Sequence, residues 1–189
     1  RRTDSPDEEL FEAIMDEEGM GLAARRITLS TVGPKGALER IAQWGRQVTL
    51  ALSVHAPDDE LRHALVPGVR KRSLLETLEE ADALFSATGR EYTVEYVLLE
   101  DTNDSPDQAR ALGRMLRGRR CHVNLIPWNP VAGMDFRRTA RERQEEFARA
   151  LQETGASVTL RRSLGRETDA ACGQLRRRTL ASGPDPLSV

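Results

Sequence analysis

Three runs of aliphatic and β-branched residues constrain this chain most. They are 48–55 (Val-Thr-Leu-Ala-Leu-Ser-Val-His), 92–99 (Tyr-Thr-Val-Glu-Tyr-Val-Leu-Leu) and 121–126 (Cys-His-Val-Asn-Leu-Ile). Each has strand length, and each is followed by a stretch with helical signals. Weaker strand patterns at 25–33, closed by Gly33-Pro34, and at 157–160 flank them. Between the strands the spacing predicts helices over 36–44, from Asp58 to Val66, from Ser73 to Thr88, over 107–116 and over 139–154. Asp58 is an N-cap candidate, and Ser73 with Glu76 makes a capping box. A short helical pattern at 10–15 precedes all of these, and a last helix is expected from Asp169. Alternating strands and helices form a parallel sheet of βαβ units, an α/β fold, and the apolar run 92–99 predicts a strand buried on both faces. Pattern alone leaves barrel and open sheet as alternatives.

In either arrangement ligands gather at the C-terminal ends of the strands. Those ends carry Ser30-Thr31, Ser53-Val54-His55, Glu100-Asp101-Thr102-Asn103 and Trp128-Asn129. Any one of them alone suits a cap or a turn; together they make a candidate binding rim. His55 suits either a general base or a hydrogen-bond donor to a ligand. Near the C-terminus, Cys172 lies in Asp-Ala-Ala-Cys-Gly-Gln-Leu, flanked by small residues that leave its thiol uncrowded. It is a candidate nucleophile, although local features alone favour a small buried hydrophobe.

Composition excludes several classes. The net charge of −2 gives no global nucleic-acid signature, although Arg70-Lys71-Arg72, Arg137-Arg138, Arg161-Arg162 and Arg176-Arg177-Arg178 are local phosphate-binding candidates. Two cysteines without framework spacing point to a reducing, cytoplasmic setting. No run reaches membrane-spanning length, so no membrane partner is expected. No zinc, dinucleotide or Walker motif is present.

The motifs Gly-Met-Gly-Leu at 19–22, Arg-Arg-Ile-Thr-Leu-Ser-Thr at 25–31, Leu-Ser-Val-His-Ala-Pro at 52–57, Val-Glu-Tyr-Val-Leu-Leu at 94–99, Asn-Leu-Ile-Pro-Trp-Asn-Pro at 124–130 and Asp-Ala-Ala-Cys-Gly-Gln-Leu at 169–175 occur in a recognisable order. As a set they closely resemble the C-terminal part of radical S-adenosylmethionine RNA adenine methyltransferases of the RlmN/Cfr type. The resemblance implies an N-terminally truncated, partial (β/α) barrel over 10–180; the polar segment at 1–9 is expected to be disordered and 181–189 to be a flexible tail. It implies methylation of adenine carbon 2 in ribosomal RNA, and of transfer RNA as a second substrate. Cys172 matches the methyl-carrying cysteine, which takes a methyl group from one S-adenosylmethionine before a second is cleaved reductively at a 4Fe-4S cluster. Ser30, Ser53, Val54, His55 and Asn129 fall on S-adenosylmethionine contacts, and an electron donor is the remaining partner. The cluster's three-cysteine motif and the Gly-Met-Gly-Glu-Pro segment are absent, so no metal ligand is assigned and this chain alone is expected to be inactive. The alternative reading is a degenerate, non-catalytic barrel that binds RNA or a nucleotide.

Overall fold

In the computed structural model, which describes Met15 and residues 21–69, 72–131 and 133–161, five strands form a single parallel sheet in sequential order. They are β1 (Thr28–Thr31), β2 (Thr49–Ser53), β3 (Tyr92–Leu98), β4 (Cys121–Pro127) and β5 (Ser157–Leu160). Helices α1 (Ala37–Gln43), α2 (Asp59–Leu65), α3 (Leu74–Thr88), α4 (Pro106–Leu116) and α5 (Arg141–Gln152) fill the connections. A doubly wound sheet reverses its strand order at a switch point; this one does not. The strands form an arc of a (β/α) barrel, which settles the choice that the pattern left open.

One core lies between the helices and one face of the sheet. Leu50, Leu52 and Val54 of the β2 stretch, Val94, Tyr96 and Leu98 of β3, and Val123 and Leu125 of β4 meet Leu78, Leu112, Phe147 and Leu151 from the helices. The Tyr96 and Phe147 rings lie 5.2 Å apart in a tilted pair. These strand positions are two residues apart, as a pleated strand requires. The expectation that β3 is buried on both faces is therefore corrected. Tyr92, Val94, Tyr96 and Leu98 are buried, while Thr93, Glu95 and Val97 on the other face are only half-buried. Aliphatic residues such as Val97 and Ile126 at some inner positions made the sequence look apolar throughout.

Strand and helix ends follow local chemistry. β1 is shorter than predicted, because a 3-10 turn at Ala24–Arg26 takes up the start of its apolar run. Gly33 then turns the chain at φ +71, where a Cβ would come within 2.6 Å of Thr77 Cγ2. Asp58 caps α2 by accepting from the Leu61 amide at 2.9 Å. The Ser73/Glu76 capping box is formed at α3, and Ser105 with Gln108 makes a second one at α4 that the sequence reading passed over. α5 starts at Arg141, later than predicted, because Arg138 is held in an antiparallel bridge to Leu99. The segments at 1–9 and 181–189, the helical pattern at 10–14 and the helix expected from Asp169 lie outside the described residues.

Candidate functional site

Register places the predicted rim residues. Across the sheet Ser30 pairs with Ala51, while Ser53 pairs with Glu95, which pairs with Asn124 and through it with Thr159. Ser30, Ser53 and, by alternation, His55 therefore share the inner face, which no described helix covers, at the C-terminal ends of β1 and β2. That face is polar: Asn124 Nδ2 donates to Glu95 Oε1 at 3.1 Å, and the His122 ring bonds Ser157 and Thr159 at 2.8 and 2.9 Å. Neither the Ser30 nor the Ser53 hydroxyl is engaged with another described residue, so both remain available to a ligand. Val54 is different. Its side chain lies in the core and its amide donates to the Glu95 carbonyl at 3.0 Å, so only its own carbonyl is left to offer.

His55 is the most constrained residue of the rim. It adopts φ +61, a left-handed conformation that a β-carbon disfavours by about 1–2 kcal/mol. Its Nδ1 accepts from the Val97 amide at 3.1 Å. A nitrogen that accepts is unprotonated, so the neutral ring carries its proton on Nε2. Burial, reinforced by the nearby Arg62 guanidinium, lowers its pKa from 6.5 to about 4. His55 is thus a neutral Nε2–H donor at physiological pH, and the general-base alternative drops out.

Asn129 stands two residues beyond β4 on the same rim, exposed, with Oδ1 accepting from Arg138 Nη1 at 3.1 Å. The segment that carries it is tied to the chain at the end of β3: the Trp128 amide donates to the Leu98 carbonyl, and the Glu100 amide to the Arg137 carbonyl. Trp128 and Phe136 meet edge to face at 5.9 Å. Ser30, Ser53, His55 and Asn129 are thereby gathered at one end of one sheet. Cys172 lies outside the described residues.

Two features escaped the sequence. Asn103 sits in a rim stretch that the pattern did single out, yet nothing local separates it from its polar neighbours; its importance comes from full burial and four partners. Arg62 of α2 is also fully buried, with Nη2 donating to the Val32 carbonyl at 2.7 Å and Nε and Nη1 unpartnered. Burial lowers its pKa.

The basic runs fare less well as phosphate sites. Arg72 is buried, bonds the Gly33 and Glu76 carbonyls and pairs with Glu80, so it is a structural strut. Arg137 pairs with Glu100 and Asp101. Arg70, Lys71, Arg162 and Arg176-Arg177-Arg178 lie outside the described residues. Cys121 is no nucleophile, since burial pushes its thiol up to about 11.

Comparison with known proteins agrees with this fold. No protein-family model matches the chain. A probable dual-specificity RNA methyltransferase RlmN from Symbiobacterium thermophilum is 48% identical over 166 residues, 87% of this chain and 45% of the relative. The chain is a homologue of the RlmN-type methyltransferases. A ribosomal RNA large subunit methyltransferase N from Nitrosopumilus maritimus is 44% identical over 160 residues, 85% of this chain and 45% of its own. Among solved structures, a radical SAM methyltransferase from Sphaerobacter thermophilus superposes with a TM-score of 0.84 at 43% identity, over 89% of this chain and 49% of that one. The chain thus spans about half the length of the RlmN-type relatives it matches.

Proposed function

We propose that this chain is the S-adenosylmethionine-binding and methyl-carrying portion of an enzyme that methylates carbon 2 of adenine in ribosomal RNA, and in transfer RNA. The observation that carries the reading is the rim itself. In an RlmN-type chain, the unengaged hydroxyls of Ser30 and Ser53, the Nε2–H of His55 and the amide of Asn129 share one sheet end. These groups fit a ligand that is at once an amino acid and a nucleoside, with hydroxyls, a carboxylate and a purine edge to be matched. Val54 adds a backbone carbonyl, an acceptor for a ligand N–H or O–H.

S-adenosylmethionine, when bound, supplies the methyl group. In this reading the Cys172 thiolate attacks the methyl carbon; the new S–C bond forms as the bond to the sulfonium sulfur breaks, with S-adenosylhomocysteine leaving. Onward transfer to an adenine carbon that is not nucleophilic needs radical chemistry, with an electron donor as partner. The target adenine must leave its stack to reach the rim. The residues present do not fit an iron–sulfur cluster. The sequence has two cysteines, one of them the half-buried Cys121, and among the described residues no His/Cys/Asp/Glu group could hold a metal. The reading therefore assigns that cluster to residues outside these 189.

The test is made on the protein expressed from its complete gene. Wild-type enzyme is expected to yield 2-methyladenosine in ribosomal RNA, detected by mass spectrometry of digested nucleosides. Cys172→Ala is expected to yield none. A Cys172→Ala enzyme that still methylates removes the carrier role; a wild-type enzyme that binds S-adenosylmethionine but leaves RNA unmodified removes the catalytic reading.

A further inference from the structure

The strand end that carries His55 is held by a single buried side chain on the next loop. Asn103 is fully buried. Its Nδ2 donates to the His55 carbonyl at 2.8 Å and to the Val97 carbonyl at 2.7 Å, and its Oδ1 accepts from the Leu99 amide at 2.7 Å. Its own carbonyl accepts from the Tyr96 hydroxyl at 2.8 Å, and its amide donates to the Leu99 carbonyl at 3.3 Å. All three side-chain hydrogen-bonding positions in use serve backbone groups past the end of the β2–β3 ladder, whose last register pair is Ser53 with Glu95. The amide therefore replaces ladder bonds that the chain gives up when it turns left-handed at His55.

That turn has a consequence for the ring. The His55 carbonyl is held by Asn103 while its Nδ1 accepts from Val97, whose carbonyl is in turn held by the same amide group. Backbone and ring of His55 are thus fixed at two points to the same stretch of β3. No bond to a described residue occupies Nε2, which is left as the one free polar atom of the ring.

We infer that Asn103 is a positioning residue: it locks His55 in its left-handed conformation, so that a single tautomer presents Nε2–H to the ligand at the rim. The inference deepens the proposed function and rests on its assignment of His55 as an S-adenosylmethionine contact. A structural strut could sit anywhere in the core. This one spans the two strand ends at the rim and leaves unsatisfied only the atom that a ligand would use. Asparagine suits the place because it offers two donors and an acceptor in one plane; aspartate would present oxygens to the His55 and Val97 carbonyls.

The test uses 15N-histidine NMR and cofactor binding on the protein expressed from its complete gene. In the wild type, the His55 ring is expected as the pure Nε2–H tautomer, with Nδ1 showing the shift of an unprotonated acceptor, between pH 6 and 8. A mixture of tautomers in the wild type overturns the inference without any variant being made. Asn103→Ala and Asn103→Asp are expected to release the ring into a tautomer mixture. Each should also weaken S-adenosylmethionine binding at least tenfold by calorimetry, well below the variant's unfolding temperature. His55→Ala should weaken binding to the same degree, and the double variant Asn103→Ala/His55→Ala no further, because both act through one ring. Unchanged tautomer and affinity in folded Asn103 variants reduce Asn103 to a strut and overturn the inference. If His55→Ala binds S-adenosylmethionine as the wild type does, the failure lies in the assignment of His55 under the proposed function. The ring signals then decide the locking role on their own.

Discussion

At the scale of single residues, burial and hydrogen bonding turn ordinary side chains into specific tools. His55 illustrates the sign of such an effect. Its folded-state pKa of about 4 lies below the ordinary 6.5, so between those values the unfolded chain binds more protons than the folded one. The stabilisation tied to the neutral ring is therefore complete above about pH 6.5 and is lost as the pH falls toward 4. The shift corresponds to about 3 kcal/mol, at 1.36 kcal/mol for each pKa unit. Urea denaturation at pH 7 and pH 4.5 should show a loss in the wild type that His55→Ala largely lacks, and an NMR titration should place the His55 midpoint near 4. A midpoint above 6 contradicts the burial and the Val97 bond together.

The elements depend on a few local devices and one close contact between helices. Ser73 closes the capping box of α3 by accepting from the Glu76 amide at 3.1 Å, while Glu76 accepts from the Ser73 amide at 2.9 Å. Ser73→Ala should cost about 1 kcal/mol in chemical denaturation. Gly113 of α4 is set by packing rather than by backbone conformation. A Cβ there would lie 2.0 Å from Thr154 Oγ1 and 2.7 Å from Thr154 Cβ, at the turn after α5. Gly113→Ala should therefore destabilise by about 2–4 kcal/mol, although alanine is the better helix former. Thr154→Ala in the same chain should recover only part of that loss, since it removes Oγ1 and Cγ2 but leaves the Cβ contact. Full recovery would place the strain elsewhere.

For the molecule as a whole, the sheet divides labour between its faces. The helix-covered face carries the apolar core, and the inner face carries hydroxyls, imidazoles, a carboxylate and an amide. No helix among the described residues is long and apolar enough to cross a membrane. The 189-residue chain, incubated anaerobically with iron and sulfide, should show no cluster absorbance in the visible range and should not methylate RNA, because it cannot supply three thiolates. A stoichiometric visible band from this chain alone would overturn that expectation.

The sequence by itself determined the alternation of strands and helices, the caps at Asp58 and Ser73, the polar residues at the strand ends and the RlmN-type motifs, because these are local in the chain or fixed by its spacing. The tertiary structure decided what depends on neighbours distant in sequence. Strand order made the sheet a barrel arc, and register put Ser30, Ser53 and His55 on one face with Val54 turned into the core. The half-buried inner face of β3 was hidden because Val97 and the aliphatic residues around it read alike whichever way they point. The burial of Asn103 and Arg62 was invisible for a related reason. A polar residue in a loop or on a short helix looks solvated until the fold closes over it, and only then does burial make each unsatisfied or satisfied hydrogen bond decisive.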